Sequence, residues 1–329
     1  MPQLCVMPGD GIGQEVIPAA VAVLTAVIPQ LDIIEAEAGW ETFVKRGVSV
    51  PAATLTKIRE CGAGLFGAVS SPAHKVTGYR SAILTMRQEL DLFANIRPIT
   101  SWPRVSPRQG IDMLIVRENT EGLYAGRERL QDGGETAVAE RVITKKASRR
   151  IAHKTRRLMH SQNRRKLTIV HKANVLPLTD GLFRDSVRDV FRDQTGLKID
   201  ELLVDVAALK MVAEPERFDV VVTTNLFGDI LSDAAAYWGG GLGLAPSLNW
   251  GEGTAVAEPV HGSAPDIAGQ GVANPIAAIL SGALLARHVW QLSDAADQIE
   301  TAVRQTLAHG DDGRLQSTAA ITQSILGHL

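Results

Sequence analysis

Cysteine is scarce, one sign of charge never dominates, and no apolar run is long. Cys5 and Cys61 are the two cysteines among 329 residues. Each lies in an apolar stretch, so buried thiols are expected and no disulfide framework is implied. The 34 basic and 36 acidic side chains leave a net charge of -2, which argues against a nucleic-acid or membrane surface built on bulk electrostatics. No apolar stretch could span a bilayer. Met1 to Gly13 has no basic leader region, so a signal peptide is not expected and a cytoplasmic location is. Internal repeats and low-complexity tracts are also missing.

The composition that is present, 45% hydrophobic and 21% charged, is that of an α/β protein, and the length suggests two lobes. Short β-branched runs at Leu4–Met7, Gly64–Val69, Met113–Val116, Leu167–Val170 and Asp219–Thr223 are expected strands. Helix-period stretches at Glu15–Val27, Thr144–Ser161, Asp229–Tyr237 and Pro275–Trp290 alternate with them, as in a parallel α/β sheet. Polar or Gly/Pro-rich joints at Arg97–Gly110 and Gly239–Gly253 are the candidate crossovers. One lobe would then comprise residues 1–95 with 245–329, and the other residues 96–244. The basic cluster Arg149, Arg150, Lys154, Arg156, Arg157, Arg164, Arg165 and Lys166 is read as a solvated helix face rather than a nucleic-acid site.

Chemistry concentrates in five places. Asp229 and Asp233 follow an apolar strand four residues apart, so a helix projects both from one face. They would suit a hard divalent cation such as Mg²⁺ or Mn²⁺; an acidic first turn stabilised by the helix dipole is the simpler alternative. Lys172 and Asn174 stand just past a strand's carboxyl end, where α/β sheets place their ligands. A lysine beside a cation could act as a general base, although a solvated lysine is also common there. Arg87, Arg97 and Arg117 could grip a di- or tricarboxylate bidentately or form ordinary ion pairs. Tyr124, close behind, could donate a proton. Finally, His261-Gly262-Ser263-Ala264 with Asp266, Ile267 and Asn274 forms a loop of small residues that a flat ligand could approach. Asp266 would accept a ribose diol and repel a 2′-phosphate, favouring NAD. The Gly9-Asp10-Gly11-Ile12-Gly13 turn fails the dinucleotide spacing G-x-G-x-x-G, so a tight turn competes with a cofactor contact there.

Six segments in this order resemble the β-decarboxylating dehydrogenases of the isocitrate/isopropylmalate dehydrogenase family. They are Gly9–Gly13, Leu92–Pro98, Val116–Tyr124, His171–Asn174, Asn225–Asp233 and His261–Gly269, and the resemblance runs nearly end to end. It implies two α/β lobes around a central cleft, distinct from the Rossmann fold, and a homodimer, possibly a tetramer, formed by the middle lobe with the active site shared between subunits. It also implies roles. Lys172 would be the base at the C2 hydroxyl, acting across the dimer, and Tyr124 would protonate the enol after carbon dioxide leaves. Asp229 and Asp233, with Asp205 from the partner subunit, would hold Mg²⁺ or Mn²⁺. Arg87, Arg97 and Arg117 would bind the carboxylates of a 2-hydroxy polycarboxylate. Ile12, His261–Ala264, Asp266, Ile267 and Asn274 would line the NAD site. One departure is Val206-Ala207-Ala208 after Asp205, where many members carry Asn-Ala or Asn-Cys.

Substrate choice in this family resides just before Arg87. Ser81 could hold a distal carboxylate, with Tyr79 or Arg80 nearby, whereas Ile83 and Leu84 would suit an isopropyl group. The string from Lys75 to Ser81 and the string from Ala38 to Phe43 resemble homoisocitrate dehydrogenases. Homoisocitrate is therefore the favoured acid, ahead of isocitrate and isopropylmalate, with tartrate or broad activity as further options. A silent regulatory subunit is the non-enzyme alternative, although Lys172, Tyr124, Asp229 and Asp233 are all retained.

Overall fold

The computed structural model describes residues 1–72, 74, 76–310 and 317–329. Lys75, part of the string singled out above, lies outside the described residues. From the N-terminus the elements run β1 (Gln3–Gly9), α1 (Gly13–Val27), β2 (Asp32–Glu35), α2 (Trp40–Arg46), α3 (Ala52–Cys61), β3 (Ala63–Ala68) and α4 (Ala82–Glu89). Then come β4 (Ala94–Thr100), β5 (Asp112–Glu118), β6 (Glu128–Gln131), β7 (Thr136–Ala139), α5 (Lys145–Ser161), β8 (Lys166–His171) and α6 (Thr179–Phe191). The rest are β9 (Lys198–Leu203), α7 (Val204–Ala213), β10 (Val220–Thr223), α8 (Asn225–Ala236), β11 (Pro246–Trp250), β12 (Ala255–Pro259), α9 (Ile276–His288), α10 (Ser293–His309) and α11 (Thr318–Gly327).

The chain divides into two compact units: residues 1–92, 101–109 and 236–329 form the first, residues 93–100 and 110–235 the second. The segment 236–244, expected in the middle lobe, packs with the first unit, as does 101–109. In the first unit the strands order β2-β1-β3-β12-β11, parallel except for the antiparallel β11–β12 pair. Parallel strands are covered by helices and read as continuous apolar runs, which describes β3, buried at all six positions. The core of this unit is α9, buried along nearly its whole length. It packs against α1, α10 and the β11 and β12 strands.

In the second unit the order is β4-β5-β10-β8-β9, with β4–β5 antiparallel and the rest parallel. A wholly parallel sheet was expected; the two antiparallel pairs arise inside the joints taken for irregular crossovers. Their Pro and Gly residues mask two strands: β4 runs through Arg97-Pro98, and β11 lies within Gly239–Gly253. Arg157 and Arg165 of the basic cluster are exposed, as a solvated face requires, but three other members depart from it. Lys154 is buried with its ammonium 5.5 Å above the Phe93 ring, and the Arg150 guanidinium lies 4.5 Å above that same ring. Arg164 pairs with Asp112 at 2.7 Å and Asp219 at 3.1 Å. These cations are therefore committed inward, because their partners Phe93, Asp112 and Asp219 lie at the starts of β4, β5 and β10.

Both thiols are free; Cys5 is buried, which pushes its pKa up to about 12, and Cys61 is half-buried. No helix among the described residues is long and apolar enough to cross a membrane.

Candidate active site

In the second unit β5, β8 and β10 are mutually parallel, so their carboxyl ends share one edge of the sheet. Arg117 is the penultimate residue of β5, Lys172 follows β8, and α8 starts two residues after β10. Helix α8 begins at Asn225 rather than at Asp229, and it has no acidic residue in its first turn. Asp229 thus sits in the helix interior, which removes the helix-dipole explanation and leaves Asp229 and Asp233 one turn apart.

Three cationic or polar groups converge on that pair. Arg97, on β4 and only 6% exposed, donates to Asp233 at 2.8 Å, to Asp229 at 3.3 Å and to Ser232 at 2.6 Å, with its Nε fixed by Asn95 at 2.7 Å. Arg117, 1% exposed, pairs with Asp229 and donates twice to the Asn225 amide oxygen, at 2.7 and 3.1 Å. The Tyr124 hydroxyl donates to Asp229 Oδ2 at 2.6 Å, and the Arg117 guanidinium lies 5.2 Å from the Tyr124 ring. Burial pushes the Tyr124 phenol above its ordinary pKa, reinforced by its bond to Asp229 and opposed by Arg117. Tyr124 therefore stays protonated. Asp233 is likewise raised, by burial first, with Arg97 pulling it back down and Asp229 adding to the rise.

Gly228 explains how Arg117 reaches so close. A Cβ there would meet Arg117 Cγ at 2.6 Å and Cβ at 2.7 Å, so the arginine chain lies flat against bare helix backbone.

Lys172 and Asp205 form a separate pair, Nζ to Oδ1 at 2.7 Å, which lowers the pKa of the exposed Asp205 carboxyl. Among the described residues no three His, Cys, Asp or Glu side chains come together as a metal site. Asp229 and Asp233 offer carboxylate oxygens of the kind a hard divalent ion prefers, and two buried guanidinium groups currently balance them. The donor set fits such an ion but is incomplete within one chain. Asn174 lies exposed in the turn after Lys172.

In the first unit β1, β3 and β12 are parallel, and their carboxyl ends bring three loops together. Ile12 N–H donates to the Ser263 carbonyl at 2.9 Å, and Ser70 bonds the Ser263 hydroxyl at 2.9 Å. Gly11 has φ +54°, and a Cβ on it would lie 2.2 Å from that same carbonyl, so the glycine turn and the His261–Ala264 loop are interlocked. The partner of the turn is a loop from the far end of the chain, which local glycine spacing does not reveal. Glu15 ties the loop down from α1 by accepting Gly269 N–H at 2.6 Å. Among the described residues His261 Nε2 is buried with no hydrogen-bond partner, and burial lowers the pKa of this ring. An orphaned neutral imidazole nitrogen is what a bound polar ligand would satisfy, so this segment fits a nucleotide. Asp266 is exposed, Ile267 caps the turn by bonding to Ala264, and Asn274 accepts Ile276 N–H at the start of α9.

Arg87, on α4, is buried and held by Asn249 at 2.9 Å and Glu258 at 3.1 Å. Neither partner was singled out as a holder of Arg87, since 162 and 171 residues separate them from it. Ser81 caps α4 with its backbone only, its side chain making no capping bond. Ile83 packs against the apolar cluster of Met86, Leu90, Leu92 and Phe66. Tyr79 donates to the Ser70 carbonyl at 3.0 Å and its ring packs on Trp40 and Phe43, while Arg80 is bonded to Gln88.

A protonated phenol, paired arginines and paired carboxylates in one cluster suit the handling of an anionic hydroxy acid, and known proteins match over the same span. The family model for isocitrate/isopropylmalate dehydrogenase matches residues 3–325. An isocitrate/homoisocitrate dehydrogenase of Thermus thermophilus is 52% identical over 328 residues, covering 98% of this chain and 97% of its own length. A homoisocitrate dehydrogenase of Methanocaldococcus jannaschii is 46% identical over 319 residues, covering 93% of this chain and 90% of its own. The crystal structure of isocitrate dehydrogenase from Methylococcus capsulatus superposes with a TM-score of 0.95 at 40% identity, covering 100% of this chain and 99% of that one. Fold and relatives together place it among the NAD-dependent, decarboxylating dehydrogenases, whose members use Mg²⁺ or Mn²⁺. The chain belongs to the isocitrate/isopropylmalate dehydrogenase family.

Proposed function

We propose that this protein oxidises and decarboxylates a 3-substituted malate with NAD, homoisocitrate first and isocitrate second. The observation that carries this reading is the convergence of Arg97, Arg117 and Tyr124 on Asp229 and Asp233. Arg87, Arg97 and Arg117 bind the substrate carboxylates. The Lys172 amine takes the proton of the C2 hydroxyl as hydride leaves C2. After carbon dioxide departs from C3, the Tyr124 phenol, kept protonated by burial and by Asp229, protonates that carbon. When bound, a divalent ion held by Asp229, Asp233 and Asp205 of a second copy supplies Lewis-acid polarisation of the C2 oxygen, and NAD supplies the hydride acceptor. His261–Ala264, Ile12, Ile267 and Asn274 hold the nucleotide, and Asp266 selects the free ribose diol.

The incomplete metal set supports a homodimer with shared sites. Exposed Val175, Leu178, Leu209, Val212 and Ile230 on the second unit, 58–85% exposed, support an apolar contact with that second copy. For the substrate, the Ser81 hydroxyl, which makes no capping bond on α4, favours an acid with a distal carboxylate, and Asn174 supplies a further polar contact. Ile83 is spent on the core, so of the apolar pair Leu84 is left, which weakens the case for isopropylmalate. Isocitrate ranks next because the Thermus relative carries both acids in its name. The test is NADH formation from homoisocitrate, isocitrate and isopropylmalate, with NAD or NADP, with and without Mn²⁺, beside Lys172→Met. Turnover of homoisocitrate that requires metal and is abolished by Lys172→Met is expected; turnover of none of the acids overturns the proposal.

A further inference from the structure

Asp180 stands in the first turn of α6 with a fully buried side chain. A carboxylate there ordinarily accepts N–H groups of its own helix. Asp180 turns away instead. Its Oδ2 accepts the backbone N–H of Lys172 at 2.6 Å, and its Oδ1 lies 2.7 Å from the Arg141 guanidinium. Arg141 is 16% exposed at its side chain, donates to Thr224 Oγ1 at 2.9 Å, and lies 4.6 Å above the Phe227 ring. Thr224 and Phe227 flank the start of α8, the helix that carries Asp229 and Asp233. The Lys172 carbonyl is fixed as well, accepting from Val175 and Leu176 at 3.0 and 2.8 Å.

A buried ion pair is a poor device for stability, since desolvating both charges offsets most of their attraction. This pair touches the backbone of one chemical residue and the helix start of two others, which gives it a geometric use. We propose that Asp180, backed by Arg141, is a positioning residue that fixes the backbone of Lys172, and with it the lysine this chain lends to the neighbouring centre. The proposal rests on the reading of Lys172 as base. The hydrogen bond to the Lys172 amide carries the effect, and the charge pair serves to keep the carboxylate aimed.

Two double variants separate this from mere packing. Arg141→Gln with Asp180→Asn keeps an acceptor for the Lys172 amide while removing both charges; Arg141→Met with Asp180→Leu removes the acceptor as well, without stranding a buried charge. Deuterium exchange of a peptide spanning residues 167–177 and steady-state kinetics are measured on both. The Gln/Asn protein is expected to keep the Lys172 amide protected and kcat within a few-fold of native. The Met/Leu protein is expected to exchange that amide faster and to lose kcat by about 10- to 100-fold, KM for NAD being unchanged, as for a reacting group displaced by about 1 Å. Native exchange and native kcat in the Met/Leu protein would overturn the proposal. So would equal loss in both proteins with the amide still protected. Retention of turnover by Lys172→Met would instead overturn the base assignment, with the exchange result standing on its own.

Discussion

Replacing Gly228 by alanine is the perturbation whose outcome the geometry constrains most. The added Cβ would lie 2.6 and 2.7 Å from Cγ and Cβ of Arg117. Carbon atoms rest about 3.5–4.0 Å apart, so the arginine stem must retreat by about 1 Å. The crowded atoms are the first two of the side chain, which cannot swing aside as a free end would. Retreat pulls the guanidinium from the Asn225 oxygen, now at 2.7 and 3.1 Å, and from its pairing with Asp229. Alanine gains about 0.5–1 kcal/mol over glycine inside a helix, while overpacking costs about 1–3 kcal/mol, so folding stability changes by between about 0 and 2.5 kcal/mol of loss. Losing one charge-assisted hydrogen bond to the substrate costs about 1.5–3 kcal/mol, which raises KM for the acid by about 10- to 150-fold. KM for NAD stays within about twofold, because the loops assigned to the nucleotide belong to the other unit. Steady-state kinetics in both substrates and a thermal melt give the answer. An unchanged KM for the acid in a folded Gly228→Ala protein would refute the assignment of Arg117 to a substrate carboxylate.

Two further outcomes are expected. Tyr124→Phe removes the phenol that donates to Asp229 and should lower kcat by about 10²- to 10⁴-fold with little change in KM, as for loss of a general acid; a kcat within threefold of native would reassign the proton donor. Asp266→Ser should raise kcat/KM with NADP by at least ~10-fold, equivalent to removing about 1.4 kcal/mol of like-charge repulsion, and an unaltered NAD preference would show that another group selects the cofactor.

Much of this organisation is legible in the residues themselves. The β-branched runs at Met113–Val116 and Leu167–Val170 become β5 and β8, and the four-residue spacing of Asp229 and Asp233 survives as one face of α8. Local pattern carries such features because the side-chain period of each element is set by its own backbone. What escapes is pairing across the topology. Arg97 and Arg117 meet Asp229 over 132 and 112 residues, distances at which periodicity is silent. Strands β4 and β11 hide in Pro/Gly joints because Pro98 falls inside the first and Pro246 opens the second, and proline reads locally as a strand breaker. Asn225 lay inside a recognised motif, yet its use as the seat of Arg117 follows only from the turn that joins β10 to α8. Asp180 carries no local signal at all; an acidic residue in a helix's first turn is ordinary, and its partner Arg141 sits on an unremarkable stretch before α5.

The pairing of Lys172 with Asp205, apart from the Asp229 cluster, has a genetic consequence. In a dimer that shares its sites, each chain lends its lysine to one centre and its paired carboxylates to the other. A chain with Lys172→Met and a chain with Asp229→Asn would each be inactive alone. In a hybrid of the two, both lesions fall on one centre and the other is intact. Random reassortment makes about half the dimers hybrids, so about a quarter of the native centres should return. Two dead proteins would complement each other in a single tube.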